Sequence, residues 1–204
     1  MAFIHVPKAA GRLIRDCIKS SFSEEESWVE GWGTDGGLDR AHLFPDELRM
    51  CYPRVAEMLE EEDCLSFTVV RHPIARAVSA FQHSCGGYAD EKERSRGLAG
   101  YLERIESGYF KTDGRDGFRY IHGAPQHEFL LIEDECLVKQ ILRLEDDDFS
   151  DRISAILGRE IVLYRPNIGF GHYLVQPSSE DVETIQRIYA RDFEQLGYVV
   201  GDPR

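Results

Sequence analysis

Lys8 and Gly11 stand in a short segment whose residue types suit anion binding. An apolar run, Phe3–Val6, ends at Pro7, and residues at helical spacing begin near Leu13. A strand that turns directly into a helix leaves backbone N–H groups unpaired at the helix N-terminus, where they point toward one ligand. The lysine adds a full positive charge to the partial charge of the helix. This segment is therefore predicted to bind a phosphate or a group of similar shape.

A second segment repeats the order of strand, charged turn and helix. Residues 64–70 are apolar and β-branched, which is typical of a strand buried on both faces, and Arg71 follows them directly. Pro73 suits the first position of a helix. The guanidinium of Arg71 can hold two phosphate oxygens, and Ser79, two helical turns later, can add a hydroxyl donor.

These two segments must be positioned by a parallel sheet. Strands that alternate with helices across short turns predict an α/β protein, and ligands of such proteins bind at the carboxyl ends of the strands. The turn at Lys8 and the turn at Arg71 are therefore predicted to lie on the same edge of the sheet. The usual nucleoside-triphosphate loop, G-x-x-x-x-G-K-[S/T], does not occur in the chain. A nucleotide kinase would need a divergent loop.

Both segments resemble the phosphate-binding signatures of one family, the carbohydrate-type sulfotransferases (sulfotransferase family 2-like) that use 3′-phosphoadenosine 5′-phosphosulfate (PAPS). The first segment keeps the family's residues at His5, Pro7, Lys8, Ala10 and Gly11. It departs at Ala9 and Arg12, where the family has hydroxyl residues. The second segment keeps Arg71, Pro73, Arg76, Ser79 and an aromatic residue at Phe81, with His72 in place of the usual Asp.

The resemblance continues along the chain to Tyr198. It includes a Gln-x-x-Phe-Leu element at Gln126, residues 141–149, and the ending at 189–198. It implies the sulfotransferase fold: a single domain over residues 1–204, with a P-loop-like parallel sheet flanked by helices on both faces. Because the chain begins at the first core strand, it is expected to be a compact bacterial-type member or a trimmed catalytic domain.

The family's chemistry implies a role for each matched residue. Lys8 would contact the bridging oxygen of PAPS, and Arg71 and Ser79 would hold its 3′-phosphate. His42 matches the proposed general base of several relatives, although its spacing alone fits a loop histidine that faces water. The backbone N–H groups of the turn would hold the 5′-phosphate; these residues are Ala9, Ala10, Gly11, Arg12 and Leu13. Arg12 could also supply a second cation to the sulfonate.

The resemblance also implies the ligands. The co-substrate is PAPS, the product is adenosine 3′,5′-bisphosphate (PAP), no metal is required, and the acceptor is a hydroxyl group of a carbohydrate. Should His42 not be the base, Glu30, Asp35 and Asp39 are the next candidates. Sugar rings could stack on Trp28, Trp32 or Tyr88, although isolated loop aromatics also serve local packing. A PAP-binding module that has lost transfer activity, with Ala9 and Arg12 as signs of decay, would keep all of these motifs.

Composition restricts the partners. The hydrophobic content of 42% and charged content of 30% are those of a soluble globular protein. The net charge of −13 argues against nucleic-acid binding, which depends on many Lys and Arg contacts to phosphates. Five scattered cysteines without a Cys-x-x-Cys pair favour a reduced, cytoplasmic protein. No stretch approaches the roughly 20 apolar residues of a membrane span, and no signal pattern occurs. Nothing indicates the oligomeric state.

Apolar spacing gives the remaining elements. Helices are predicted from about residue 13 to 22, 46 to 60, 73 to 81, 97 to 107, 149 to 157 and from Ser179, and a further strand over 136–145. Residues 23–40 show no period and are interpreted as a surface loop that could contact the acceptor. The polar region 86–119 is a second place where acceptor specificity could lie.

Overall fold

The computed structural model describes residues 1–23, 27–29, 34–35, 38–39, 41–87, 89, 91–111, 117–132, 135–161 and 175–200. The strands are β1 (Ala2–Ile4), β2 (Trp28–Val29), β3 (Thr34–Asp35), β4 (Leu38–Asp39), β5 (Ser66–Val70), β6 (Leu131–Ile132), β7 (Glu135–Cys136) and β8 (Gln140–Arg143). The helices are α1 (Gly11–Ser21), α2 (Pro45–Cys51), α3 (Pro53–Glu60), α4 (Pro73–Gly87), α5 (Glu91–Ser95), α6 (Gly97–Glu106), α7 (Gly117–Gly123), α8 (Phe149–Leu157), α9 (Ser179–Ile188) and α10 (Ala190–Gln195). Two 3₁₀ turns lie at Tyr109–Lys111 and Gln126–Phe129.

The chain divides into two compact units. The first consists of Met1–Arg71 and Gln126–Leu163 and contains the parallel sheet. The second consists of His72–Pro125 and Tyr164–Arg204, and its described elements are helical. The single domain over the whole chain stays a prediction.

The sheet of the first unit confirms the predicted fold class. Among the described residues, four strands pair in the order β2-β1-β5-β8, and each pairing is parallel. Every residue of β5 is buried, as its apolar composition predicts. Its two polar side chains are satisfied: Thr68 Oγ1 donates to the Ile4 carbonyl oxygen at 2.8 Å, and Ser66 Oγ accepts the Lys139 N–H at 3.1 Å.

Helix α1 packs its apolar stripe inward and carries the turn at Lys8 at its N-terminus. Ile14 and Ile18 are fully buried, which confirms the predicted spacing. Its C-terminal end is joined to the end of α8 by a hydrogen bond of 3.0 Å from Arg159 Nη2 to Ser20 Oγ. Helix α8 ends at Gly158 in the left-handed region (φ 65°), where glycine is favoured, as the sequence predicts.

The second unit is held by side chains that bond to carbonyl groups at the end of α7. The buried Arg76 donates from Nη1 to the Ala124 oxygen at 2.7 Å, and Tyr189 Oη donates to the Gly123 oxygen at 2.6 Å. Arg76, which matches the family's second signature, therefore has a structural role. His72 Nδ1 accepts the Ile74 N–H at 3.3 Å, so this histidine caps α4 as the usual Asp would.

Two sequence predictions are wrong: the single helix that contains Pro53, and the loop assigned to the glycine-rich residues 23–40. The single helix over 46–60 is two helices, because Pro53 lacks an N–H donor and drives Tyr52 out of the helical region to φ −135° and ψ 61°. Residues 23–40 are not only a loop: β2 extends the sheet beside β1, and β3 and β4 form an antiparallel pair. Two-residue strands are too short to show a period.

The predicted strand over 136–145 is also shorter than expected. Only β8 (Gln140–Arg143) belongs to the sheet, and Cys136 lies in β7, which pairs with β6 in a separate hairpin. Within the described ranges, no helix combines the length and the apolar character needed to cross a membrane.

Candidate functional site

The turn between β1 and α1 has an unusual backbone. Lys8 and Ala10 have φ values of 68° and 60°, in the left-handed region that side chains other than glycine rarely enter. Such a conformation costs about 1–2 kcal/mol per residue, so the surrounding structure must impose it. Ala10 is the N-cap of α1, and its methyl group offers no oxygen to the first N–H groups of the helix. These groups are therefore suited to an external anion.

Gly11 lets the first turn of α1 lie directly against the ring of His5. A Cβ atom at this position would lie 1.9 Å from both Cδ2 and Nε2 of that ring. Real Cβ contacts are never this short, so the close approach of helix and strand requires glycine. Gly11, which follows Lys8 by three residues, thus has a packing reason.

His5 connects this turn to His42. His5 Nδ1 donates to the Ala41 carbonyl oxygen at 3.0 Å, which fixes the ring's tautomer because a carbonyl only accepts. The next residue, His42, is buried and its ring centroid lies 4.6 Å from that of His5. The guanidinium of the buried Arg15 lies 3.5 Å from His5 Nδ1, so a positive charge lies next to the His5 ring. The sequence-predicted His42 therefore packs against His5, which precedes Lys8 by three residues in the chain.

The end of β5 is held at the backbone of Arg71. Gln126 Oε1 accepts the Arg71 N–H at 2.9 Å, and Gln126 Nε2 donates to the Arg71 carbonyl oxygen at 2.8 Å. One residue earlier, the Val70 oxygen accepts the Leu144 N–H at 2.9 Å. Arg71 itself is half-buried, and the Gln126 side chain is fully buried.

The register of the sheet brings the two turns to neighbouring positions. Ile4 pairs with Thr68 on the adjacent parallel strand, and such strands lie about 4.8 Å apart. Lys8 follows Ile4 by four residues, and Arg71 follows Thr68 by three. Both turns therefore leave the carboxyl edge of the sheet side by side, as the sequence predicts.

The other predicted residues differ in exposure. Ala9 is fully buried, whereas Arg12 is exposed and Leu13 is half-buried. Ser79 is half-buried in α4 and belongs to the second unit. Its contact with a phosphate stays a prediction.

The alternative bases and aromatic contacts are only partly described. Glu30, Trp32 and Tyr88 lie outside the described residues, and Asp35 and Asp39 are described only as backbone in β3 and β4. Trp28 packs edge-on against Tyr52, with ring centroids 5.8 Å apart, which favours local packing over sugar stacking at that position. In the described ranges, His, Cys, Asp and Glu side chains form no group that could hold a metal ion.

Sequence reasoning did not assign roles to His5 or Gln126. Both lie in matched family elements, so a signal was present, but a buried histidine and a buried amide read as ordinary core residues until their partners are known. Their bonds go to backbone atoms 36 and 55 residues away along the chain. Local spacing cannot reveal such partners.

Comparison with known proteins gives one result. The family model described as "Sulfotransferase family" matches residues 1–159, which include both turns, His42 and Gln126. Neither the curated proteins nor the solved structures yielded a match.

Proposed function

The chain belongs to the sulfotransferase family. We propose that it transfers a sulfuryl group from PAPS to a hydroxyl group of an acceptor, and that this acceptor is a carbohydrate. The family makes the protein a transferase of sulfuryl groups. The identity of the donor and the acceptor is our proposal.

The observation that carries this proposal is the pair of turns on adjacent parallel strands. The first turn offers an ammonium group at Lys8 and the N–H groups at the start of α1. The second carries the guanidinium of the half-buried Arg71. A ligand with anionic groups at two ends, such as an adenosine with 5′-phosphosulfate and 3′-phosphate, matches two cationic turns better than a single triphosphate chain does.

In the proposed mechanism, PAPS supplies the sulfuryl group and a phosphate leaving group. The acceptor oxygen forms a bond to sulfur while the bond between sulfur and the bridging oxygen breaks, and PAP departs with the bonding electron pair. Lys8 stabilises the charge that grows on the bridging oxygen, and the N–H groups of residues 9–13 hold the 5′-phosphate. Arg71 and Ser79 hold the 3′-phosphate, and Arg12 faces the sulfonate. His42 accepts the proton of the acceptor hydroxyl.

The placement of His42 supports its role as the base. Its backbone neighbour Ala41 is bonded to His5, and His5 lies three residues before Lys8. The base is thereby tied to the turn that would hold the reacting group. General base catalysis of this kind contributes about 10²–10⁴-fold to a rate.

We expect His42→Ala to lower the rate of PAP release from PAPS by about 10²-fold or more, with the affinity for PAP unchanged. Release is measured with a panel of oligosaccharides as acceptors and small phenols as a comparison. His83→Ala is the matched control, since His83 also packs against a second histidine, His122, with ring centroids 4.5 Å apart, in the second unit. A near-normal rate in His42→Ala would remove the base role. PAP binding without release for any acceptor would favour a binding module that has lost transfer.

A further inference from the structure

The side chain of Gln126 makes the two backbone hydrogen bonds to Arg71 that a residue of a neighbouring β-strand would make. Its side-chain amide bonds to both the N–H and the carbonyl oxygen of that one residue, at 2.9 and 2.8 Å. Two hydrogen bonds to one residue, one to each of the peptide groups that flank its Cα atom, fix the orientation of the Arg71 backbone as well as its position. The amide is fully buried, so water does not compete for these bonds.

The two hydrogen bonds between Gln126 and Arg71 restrain the backbone at the end of a strand, where it would otherwise be least restrained. Strand β5 ends at Val70. The Val70 carbonyl oxygen accepts a hydrogen bond of 2.9 Å from the N–H of Leu144, the residue that follows β8. Arg71 is the last residue of the first unit before residues 72–125, and Gln126 is the first residue after them. The two hydrogen bonds therefore close the first unit at the point where its chain is interrupted.

We propose that Gln126 is a positioning residue for the donor site: it holds the Arg71 backbone so that the guanidinium starts from a fixed point at the carboxyl edge of the sheet. This inference rests on the proposed function, because it takes Arg71 as the ligand of the 3′-phosphate. A long side chain that is anchored at a fixed backbone loses less conformational freedom on binding. Gln126 itself touches no ligand in this proposal.

The test is a double-mutant cycle on PAP affinity, measured by calorimetry. Gln126→Met keeps the volume of the side chain but removes both hydrogen bonds. We expect it to weaken PAP binding about tenfold, which corresponds to about 1.4 kcal/mol. In an Arg71→Ala background the same change is expected to weaken binding by less than about twofold, because the group it positions is gone.

A second readout needs no ligand. In the free protein, the Arg71 amide hydrogen is expected to exchange with solvent faster in Gln126→Met than in wild type. Ser66→Ala is the matched control: Ser66 is also fully buried and bonds to a backbone N–H, but at the opposite end of β5. It is expected to lower stability without changing PAP affinity.

The outcomes separate this inference from the proposed function. PAP binding by Gln126→Met equal to wild type, or an equal loss with and without Arg71, would overturn the positioning role and leave the donor site intact. A wild-type protein that does not bind PAP would overturn the proposed function, and this is seen before any variant is made.

Discussion

Lys8→Ala is expected to lower the rate of sulfuryl transfer by about 10²–10³-fold, the usual effect of removing one group that stabilises charge in the transition state. Lys8 is half-buried in the turn whose backbone N–H groups are proposed to bind the same anion. The negative charge on the bridging oxygen is largest in the transition state, so the loss falls on turnover more than on PAP affinity. Steady-state kinetics with PAPS and calorimetry with PAP give the two quantities.

The controls for this prediction keep the turn unchanged. Lys8→Arg keeps the charge at the same left-handed position, and it is expected to retain more activity than Lys8→Ala. Lys19→Ala removes an exposed lysine from the last turn of α1 and is expected to leave turnover unchanged. An equal loss for both lysines would mean that net charge, rather than the position of Lys8, determines the rate.

Gly11→Ala is expected to destabilise the protein by about 1–3 kcal/mol and to abolish tight PAP binding. The new methyl group would lie 1.9 Å from two atoms of the His5 ring. That ring has little room to move, because it is hydrogen-bonded to Ala41 and packed against the tilted ring of His42. The helix start must therefore shift away from the turn that is proposed to bind the anion. The midpoint temperature of thermal unfolding is expected to fall by about 2–4 °C for each kcal/mol of lost stability in a chain of this length.

A matched glycine and a second-site change make the Gly11 prediction specific. Gly87 closes α4, and a Cβ there would meet nothing within 4 Å, so Gly87→Ala is expected to change stability by less than about 0.5 kcal/mol. His5→Ala in the Gly11→Ala background removes the clashing ring and is expected to restore part of the stability. Full stability of Gly11→Ala on its own would contradict the described packing.

The sheet and the positions of the two turns at its carboxyl edge could be predicted because their signals are local. Strand β5 is a continuous apolar run, and Pro73 marks the start of α4. Helix α1 shows its spacing within three turns. The break at Tyr52 was also visible locally, in Pro53, but the apolar spacing on both sides concealed it. In that segment, a proline signal was more informative than the periodicity.

The arrangement around the turns could not be predicted, because it depends on bonds between distant parts of the chain. His5 reads as one more residue of a motif until Ala41 is placed against it, and Gln126 reads as a core amide until Arg71 is its partner. The left-handed backbone of Lys8 and Ala10 is likewise imposed by tertiary structure, since both residue types disfavour it. Sequence therefore identified the residues expected to meet the ligand more readily than those that support them.

The measurement that tests the central claim most directly is thermal unfolding with PAP, on wild type and on Lys8→Ala and Arg71→Ala, with ATP as the comparison ligand. PAP at about 100 times its dissociation constant adds about 2.7 kcal/mol to the free energy of unfolding. For a chain of this length the midpoint is expected to rise by about 5–10 °C. The account predicts a rise that is specific to PAP and greatly reduced in both variants. No rise, or an equal rise with ATP, would contradict a donor site built from these two turns.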